Sequence, residues 1–434
     1  MTRQITYPGV YVEELPDGIH TIEAVATSVV AFVGKTLLGP VNLPQTLDSY
    51  AQFEDIFGTQ DEFCILSHAV NDFFMNGGLR AVVVRTDCEY DETNEPPTNK
   101  PPSKLQIYSK AFKALAANET FNMLCLPPDE LVSDIDPSVL RIATNLCIDN
   151  RALLIVDPRK TWSQPSDIPN RCSEWNAIGL DEANARNTAV FFPSITKSSV
   201  TEGEQEFTMV PCGAIAGVMA RTDLQRGVWK AAAGLDAKIV GGLGLSLSLT
   251  NIDNDILNSR GVNCIRAFPS HGPVIWGART LDSAHCFSEG LSYVPIRRLQ
   301  LFIEASIDKG LQWVVFEPND EALWTKIRSS IDTFMFALFR NGALQGSTPR
   351  DAYFVKCDRE STTEADINAG FVNILIGFAP LKPAEFVVIH LKKCSAPVQN
   401  STIKLRDRMA TKPRLTTKSL RRIRSFRPKK RSLK

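Results

Sequence analysis

The 434-residue sequence has no apolar run approaching the roughly 20 residues that a membrane-spanning helix requires, and its longest near-apolar stretch is AVATSVVAFVG from Ala24. Its first residues, MTRQITYPGVYVEELPDG, contain no apolar leader core, so synthesis in the cytosol is expected. Histidine is scarce. The five present, His20, His68, His271, His285 and His390, share no metal-ligand spacing, and the adjacent His285 and Cys286 read as a loop or core pair. The ten cysteines form no CxxC pair; Cys125 in NMLCLP and Cys264 in GVNCIRAF sit inside apolar runs and read as reduced core thiols. Phosphate-loop, HExxH and GxSxG signatures are missing, and GGLGLS from Gly241 lacks both the third glycine and the preceding strand of a dinucleotide fingerprint. It reads as a turn leading into a strand. Asp253 and Asp255 in NIDNDIL read as a helix start rather than an acid/base pair. No catalytic constellation emerges, and neither cofactor, metal nor small-molecule substrate is expected.

What is present in excess is charge of opposite sign in two places. Formal net charge is zero, yet residues 392–434 hold sixteen Lys and Arg against Asp407 alone, leaving 32 basic and 47 acidic residues in the first 391. A nucleic-acid partner would have to be met by this tail. Phosphate binding needs only clustered cations, but base reading or stacking needs aromatic or polar readers, and Phe426 is the only aromatic after Phe386. The tail therefore reads as a solvated basic extension, with no nucleic-acid partner expected.

Along the chain, residues 1–22 suit an extended arm, with Pro8, Pro16 and the Asp17-Gly18 turn around the β-prone VYVEEL. Residues 23–104 read as α/β: SVVAFVGK is a buried strand, Ser49 an N-cap before YAQFEDIF, ILSHAVNDFFM a second helix stopped by glycines, and RAVVVRT another strand. Residues 87–104, with five acids and four prolines, read as a linker or exposed loop. The strand-like NMLCLP, ALLIVDP and TAVFFPSI, alternating with helices such as PSVLRIATNLCID, predict a second α/β domain over 105–225. In 226–391, YVPIRRLQLFIEASIDKG is helical and LQWVVFEP reads as a buried strand closed by Pro318. Leu323, Ile327, Ile331, Phe334 and Leu338 define an amphipathic helix starting near Asn319 or Asp320 and stopped at Gly342. DAYFVKCD, GFVNILIGFAP and AEFVVIHL supply three further strands, so the first unit is expected to resume after the insertion.

The segments YPGVYVEELPDG, TSVVAFVGKTLLGPVN, VNDFFMNGGLRAVVVR, RGVWKAAAG, NSRGVNCIRAFPSHGPVIWGARTL, VPIRRLQLFIEASIDKGLQWVVFEPNDEALWTKIR and GFAPLKPAEFVVIHL, in this order, resemble the contractile tail sheath proteins of phages, R-type bacteriocins and extracellular contractile injection systems. The resemblance implies a mixed α/β fold: a sheath core domain from the N- and C-terminal parts, an inserted outer domain, and extended terminal arms. It implies stacked hexameric rings around an inner tube, with baseplate and terminator or cap proteins as further partners, and contraction that drives the tube through a target envelope. Assembly would occur in the bacterial cytoplasm, into a phage tail or an injection particle. Strand addition between subunits falls on Tyr7, Val10, Tyr11 and Val12 and on Phe386, Val387, Val388 and Ile389. Contact with the inner tube falls on Lys326 and Arg328. Residues 392–434 have no counterpart in the resemblance.

Overall fold

The computed structural model describes residues 20–59, 64–86, 103–118, 120–198, 206–282 and 293–384. Its centre is an eight-stranded sheet built from β1 (Val29–Gly34), β2 (Gln45–Leu47), β3 (Arg80–Arg85), β4 (Met123–Cys125), β5 (Leu153–Val156), β6 (Thr188–Phe192), β10 (Val262–Phe268) and β11 (Gly272–Ile275). The spatial order is β11-β10-β6-β5-β4-β1-β3-β2. The inner six strands are parallel, and antiparallel β2 and β11 close the two edges. A parallel strand covered on both faces is apolar along most of its length. That is why VVAFVG, RAVVVR and LLIV read as unbroken runs. Val30 and Phe32 point into one core, with Ala81, Val83, Leu153 and Ile155; Ala31 and Val33 point into the other, with Val82, Val84 and Leu154.

Helices α1 (Tyr50–Phe57), α2 (Ile65–Met75) and α6 (Cys212–Arg226) cover the first face, while α3 (Lys104–Asn118), α4 (Pro137–Asp149), α5 (Cys172–Ala177) and α7 (Asn251–Ser259) cover the second. Their ends follow local chemistry. Ser49 accepts from the Gln52 amide at 3.4 Å to start α1, Gly58 ends it at φ 93°, and Thr250 with Asp253 forms a capping box on α7. Asp253 is thus a helix cap. A small sheet of β7 (Ile195–Ser198), β8 (Glu206–Met209) and β9 (Gly244–Leu245), ordered β8-β7-β9, leans on the first face through Lys197, which meets Asp72 of α2 at 2.5 Å. Burial raises the Asp72 carboxyl despite this ammonium.

The chain then leaves the sheet for a third core, formed by α8 (Val294–Gly310), α9 (Glu321–Arg340), α10 (Pro349–Ala352), β12 (Tyr353–Lys356), α11 (Glu364–Asn368) and β13 (Leu375–Phe378). Two sequence expectations differ from this arrangement. Residues 105–225 do not make a sheet of their own: β4 pairs with β1, β5 with β4 and β6 with β5, because β1 carries an unpaired apolar flank once β3 has taken its other side. LQWVVFEP is not a strand either. A 3-10 turn covers Gln312–Val314, and among the described residues no neighbouring strand offers this segment a ladder. The strand expected in AEFVVIHL and the arm of residues 1–19 lie outside the described residues, as does the basic tail.

Two positions in this body generate tests. Gly213 and Gly217 of α6 meet α2 so closely that a Cβ would stand 1.9 Å from the Ala69 carbonyl oxygen and 2.5 Å from that of Phe73. Gly213→Ala must part the helices and is expected to cost about 1–3 kcal/mol, read as a lower urea midpoint with unchanged slope. Asp157, just past β5, accepts from the Cys212 amide at 2.8 Å through Oδ1 and keeps Oδ2 buried without a partner. Burial lifts its carboxyl from 3.8 to about 7. A raised folded-state pKa stabilises fully below the unfolded value and is lost as pH rises through the folded one. Melting temperature should therefore fall between about pH 4 and pH 7, and Asp157→Asn should flatten that slope.

Candidate assembly interface

The C-terminal part begins with α8, whose sequence places two arginines side by side on a buried stretch. Arg298 donates to Asp223 Oδ1 at 2.8 Å and Oδ2 at 2.6 Å, and to the Thr27 carbonyl at 2.9 Å. Arg297 donates twice to Asn187 Oδ1, at 3.0 and 2.8 Å, and Asn187 holds the Ala152 carbonyl at 2.8 Å. These contacts tie α8 to α6 and to the backbone beside β5 and β6. Burial raises the Asp223 carboxyl, with the Arg298 charge opposing it. The N-terminal segment runs along the same helix: Ile22 enters the third core, and the Val25 amide donates to Ser306 Oγ at 3.2 Å. His20 stacks on Trp313 with rings 4.1 Å apart.

Helix α9 starts where Asp320 Oδ1 accepts from the Leu323 amide at 2.8 Å, and buries Leu323, Ile327, Ile331, Phe334 and Leu338 against α8 and β12. The structure separates the two basic residues singled out from the sequence. Lys326 is exposed. Arg328 is half-buried and committed to its own subunit: it donates to the Cys357 carbonyl and to Thr325 Oγ1 at 2.9 Å, and lies 3.6 Å from Glu321. Two residues of helical phase, about 200°, turn Arg328 toward the end of β12. Beside it, β12 and β13 form a two-stranded antiparallel ladder, Tyr353 opposite Phe378 and Lys356 opposite Leu375. Phe354 lies over Gly377, where a Cβ would come within 2.1 Å of the ring. Among the described residues these strands pair only with each other, and Phe354 and Leu375 are exposed. A two-stranded ladder is marginal alone; just past β13 Leu344 bridges Pro380, and along β12 and β13 themselves a further strand can be added.

The profile of the phage tail sheath protein central domain matches residues 104–281, and that of the phage tail sheath C-terminal domain matches residues 288–392. The chain belongs to the contractile tail sheath family. Its structure is similar to a chain of the anti-feeding prophage helical sheath in the contracted state, with TM-score 0.67 and 27% identity over 89% of this chain and 99% of that one. A chain of the sheath complex of an extracellular contractile injection system in the contracted state gives 0.68 at 24% identity over 90% and 98%. A sheath tail protein from Listeria innocua shares the fold at 0.54 and 11% identity, over 83% and 97%. The tail sheath protein of Vibrio phage KVP40 is 24% identical over 49% of this chain, which spans about a third of that relative's length. The central-domain match takes in every strand from β4 to β11.

Among the described residues no group of three or more His, Cys, Asp or Glu could hold a metal ion, and no helix is long and apolar enough to cross a membrane. Sequence reading missed the α8 arginines as anchors. Their adjacency was visible, but Asp223 and Asn187 lie 75 and 110 residues away. The eight arm residues fall outside the described segments. Removing one partner of a buried ion pair strands the other charge: Arg298→Ala should cost about 3–5 kcal/mol in urea unfolding, and Arg298→Met with Asp223→Leu should recover most of it.

Proposed function

We propose that this chain is the repeating structural subunit of a contractile sheath, stacking as six-membered rings around an inner tube and shortening to drive that tube through a target envelope. The observation that carries this reading is the likeness to the anti-feeding prophage sheath, at 27% identity over nearly the whole of both chains. The partners are other copies of the chain, an inner tube protein, and baseplate and terminator or cap proteins; a chain of the anti-feeding prophage baseplate matches at 25% identity over 90% of this one. Assembly takes place in the bacterial cytoplasm, and the product is a phage tail or a released injection particle. The role is mechanical, with no cofactor or catalytic step. Energy for shortening comes from a metastable packing whose interfaces grow on contraction, on the order of a few kcal/mol per subunit.

Sliding without dissociation requires links that survive a change of angle between subunits. Extended arms added to a sheet edge meet this need, because main-chain hydrogen bonds hold while the joining residues bend. The arm residues are Tyr7, Val10, Tyr11 and Val12 at one end and Phe386, Val387, Val388 and Ile389 at the other, and the ladder of β12 and β13 is the acceptor. The absence of a third strand on it among the described residues and the exposed Phe354 and Leu375 support this assignment. Ile22 and Phe378, near the two ends of the described chain, pack into one core, so arms leaving from them start from the same part of the subunit. Lys326 faces the inner tube, and Arg328 holds α9 to β12.

Electron microscopy of the purified protein should show tubes of uniform width, and a preparation that stays monomeric at high concentration would count against the sheath. Lys326→Glu should lower the yield of sheathed inner tube at unchanged melting temperature, whereas Arg328→Glu should lower the melting temperature; wild-type yield from Lys326→Glu would remove the tube contact.

A further inference from the structure

The segment LQWVVFEP has the composition of a buried strand, yet its end stands in solvent. Val315 is 63% exposed and Phe316 wholly so. Phe316 also holds φ at 73°, a left-handed backbone that a bulky side chain adopts only where its surroundings impose it. The surroundings do impose it. The Glu317 amide donates to the Val314 carbonyl at 3.1 Å, and Asn319 Nδ2 donates to the Phe371 carbonyl at 3.0 Å. Asn319 Oδ1 accepts from Trp324 Nε1 at 2.8 Å. The result is an apolar tip held in one conformation.

A second apolar surface lies over a different core, in the loop after β1. Leu37, Leu38, Val41 and Leu43 are all exposed there. This loop is pinned as well: the Leu38 amide donates to the Phe57 carbonyl at 3.2 Å, the Asn42 amide to the Arg85 carbonyl at 2.9 Å, and Arg85 Nη1 to the Gly39 carbonyl at 2.9 Å. Lys35 is exposed at its start, and Glu317 is exposed beside Phe316. An aromatic tip with an acid at its side and an aliphatic surface with a base at its side are both apolar and opposite in charge.

We propose that the Val315–Phe316 tip of one copy docks on the Leu37–Leu43 surface of another copy, with Glu317 facing Lys35. Two different surfaces on one chain make a head-to-tail contact, which propagates instead of closing into a dimer. Both surfaces are already ordered, so little conformational freedom is lost on contact. The inference rests on the sheath reading, because it requires a polymer of this chain.

The test uses the full chain, with electron microscopy and thermal melting. Phe316→Gly removes the ring and suits the backbone, so it should raise the melting temperature while abolishing tubes; Leu38→Ser should abolish tubes at unchanged melting temperature. Glu317→Lys and Lys35→Glu should each reduce tube yield, and the two mixed in one chain should restore it. Failure of the wild type to form any polymer overturns the sheath reading and the contact with it. Wild-type tubes accompanied by undiminished Phe316→Gly tubes, or by no recovery in the double charge swap, overturn the contact alone. Empty Phe316→Gly sheaths that fail only to retain inner tube would assign the tip to the tube and overturn the contact between copies.

Discussion

A guanidinium withdrawn from water has to be matched in charge and in direction, and Arg298 meets this demand with both oxygens of Asp223 and the Thr27 carbonyl. The position of the C-terminal part depends on that match. Alpha-helical packing alone would let α8 slide or rotate against its neighbours at modest cost, since apolar contacts are not directional. A forked, bidentate contact permits one orientation. Arg297 and Asn187 add a second fixed point one residue along, so the helix that carries the third core is registered against the sheet that carries the other two.

This registration matters for the sheath function proposed above, in which subunits would shift against their neighbours while each keeps its own fold. If arms of neighbouring copies add to the β12 and β13 ladder as proposed, force taken there would reach the sheet through α9 and α8, which share the third core with it. Arg328 contributes to the same rigidity at the other end, tying α9 to the carbonyl of Cys357. Its charge, which from the sequence looked available to a partner, is engaged within the subunit. Lys326, two residues earlier, points outward because the helical repeat separates neighbours by about 100° for each residue.

Much of the body was readable from the residues. Strands buried on both faces announce themselves as unbroken apolar runs, and Ser49, Gly58 and Asp320 mark helix ends by side-chain and backbone chemistry confined to a few residues. LQWVVFEP shows where such reading stops. Its composition asks for burial, but composition does not say whether the covering surface belongs to the same chain. The acidic, proline-rich stretch after β3 misled in a related way. The sequence beyond it returns to the flank of β1 that β3 leaves open.

By itself the sequence determined what depends on near neighbours: the helix stripes, the caps, the doubly apolar strands, and an ordered set of segments that carries the sheath family. Only the tertiary structure decided which strand lies beside which, how Gly213 lets α6 reach α2, and that Arg297 and Arg298 are anchors. Those outcomes rest on contacts between residues many tens of positions apart. Local chemistry sets which conformations a segment prefers, but the partner that satisfies a buried charge or covers an apolar edge is chosen only when the whole chain has closed around it.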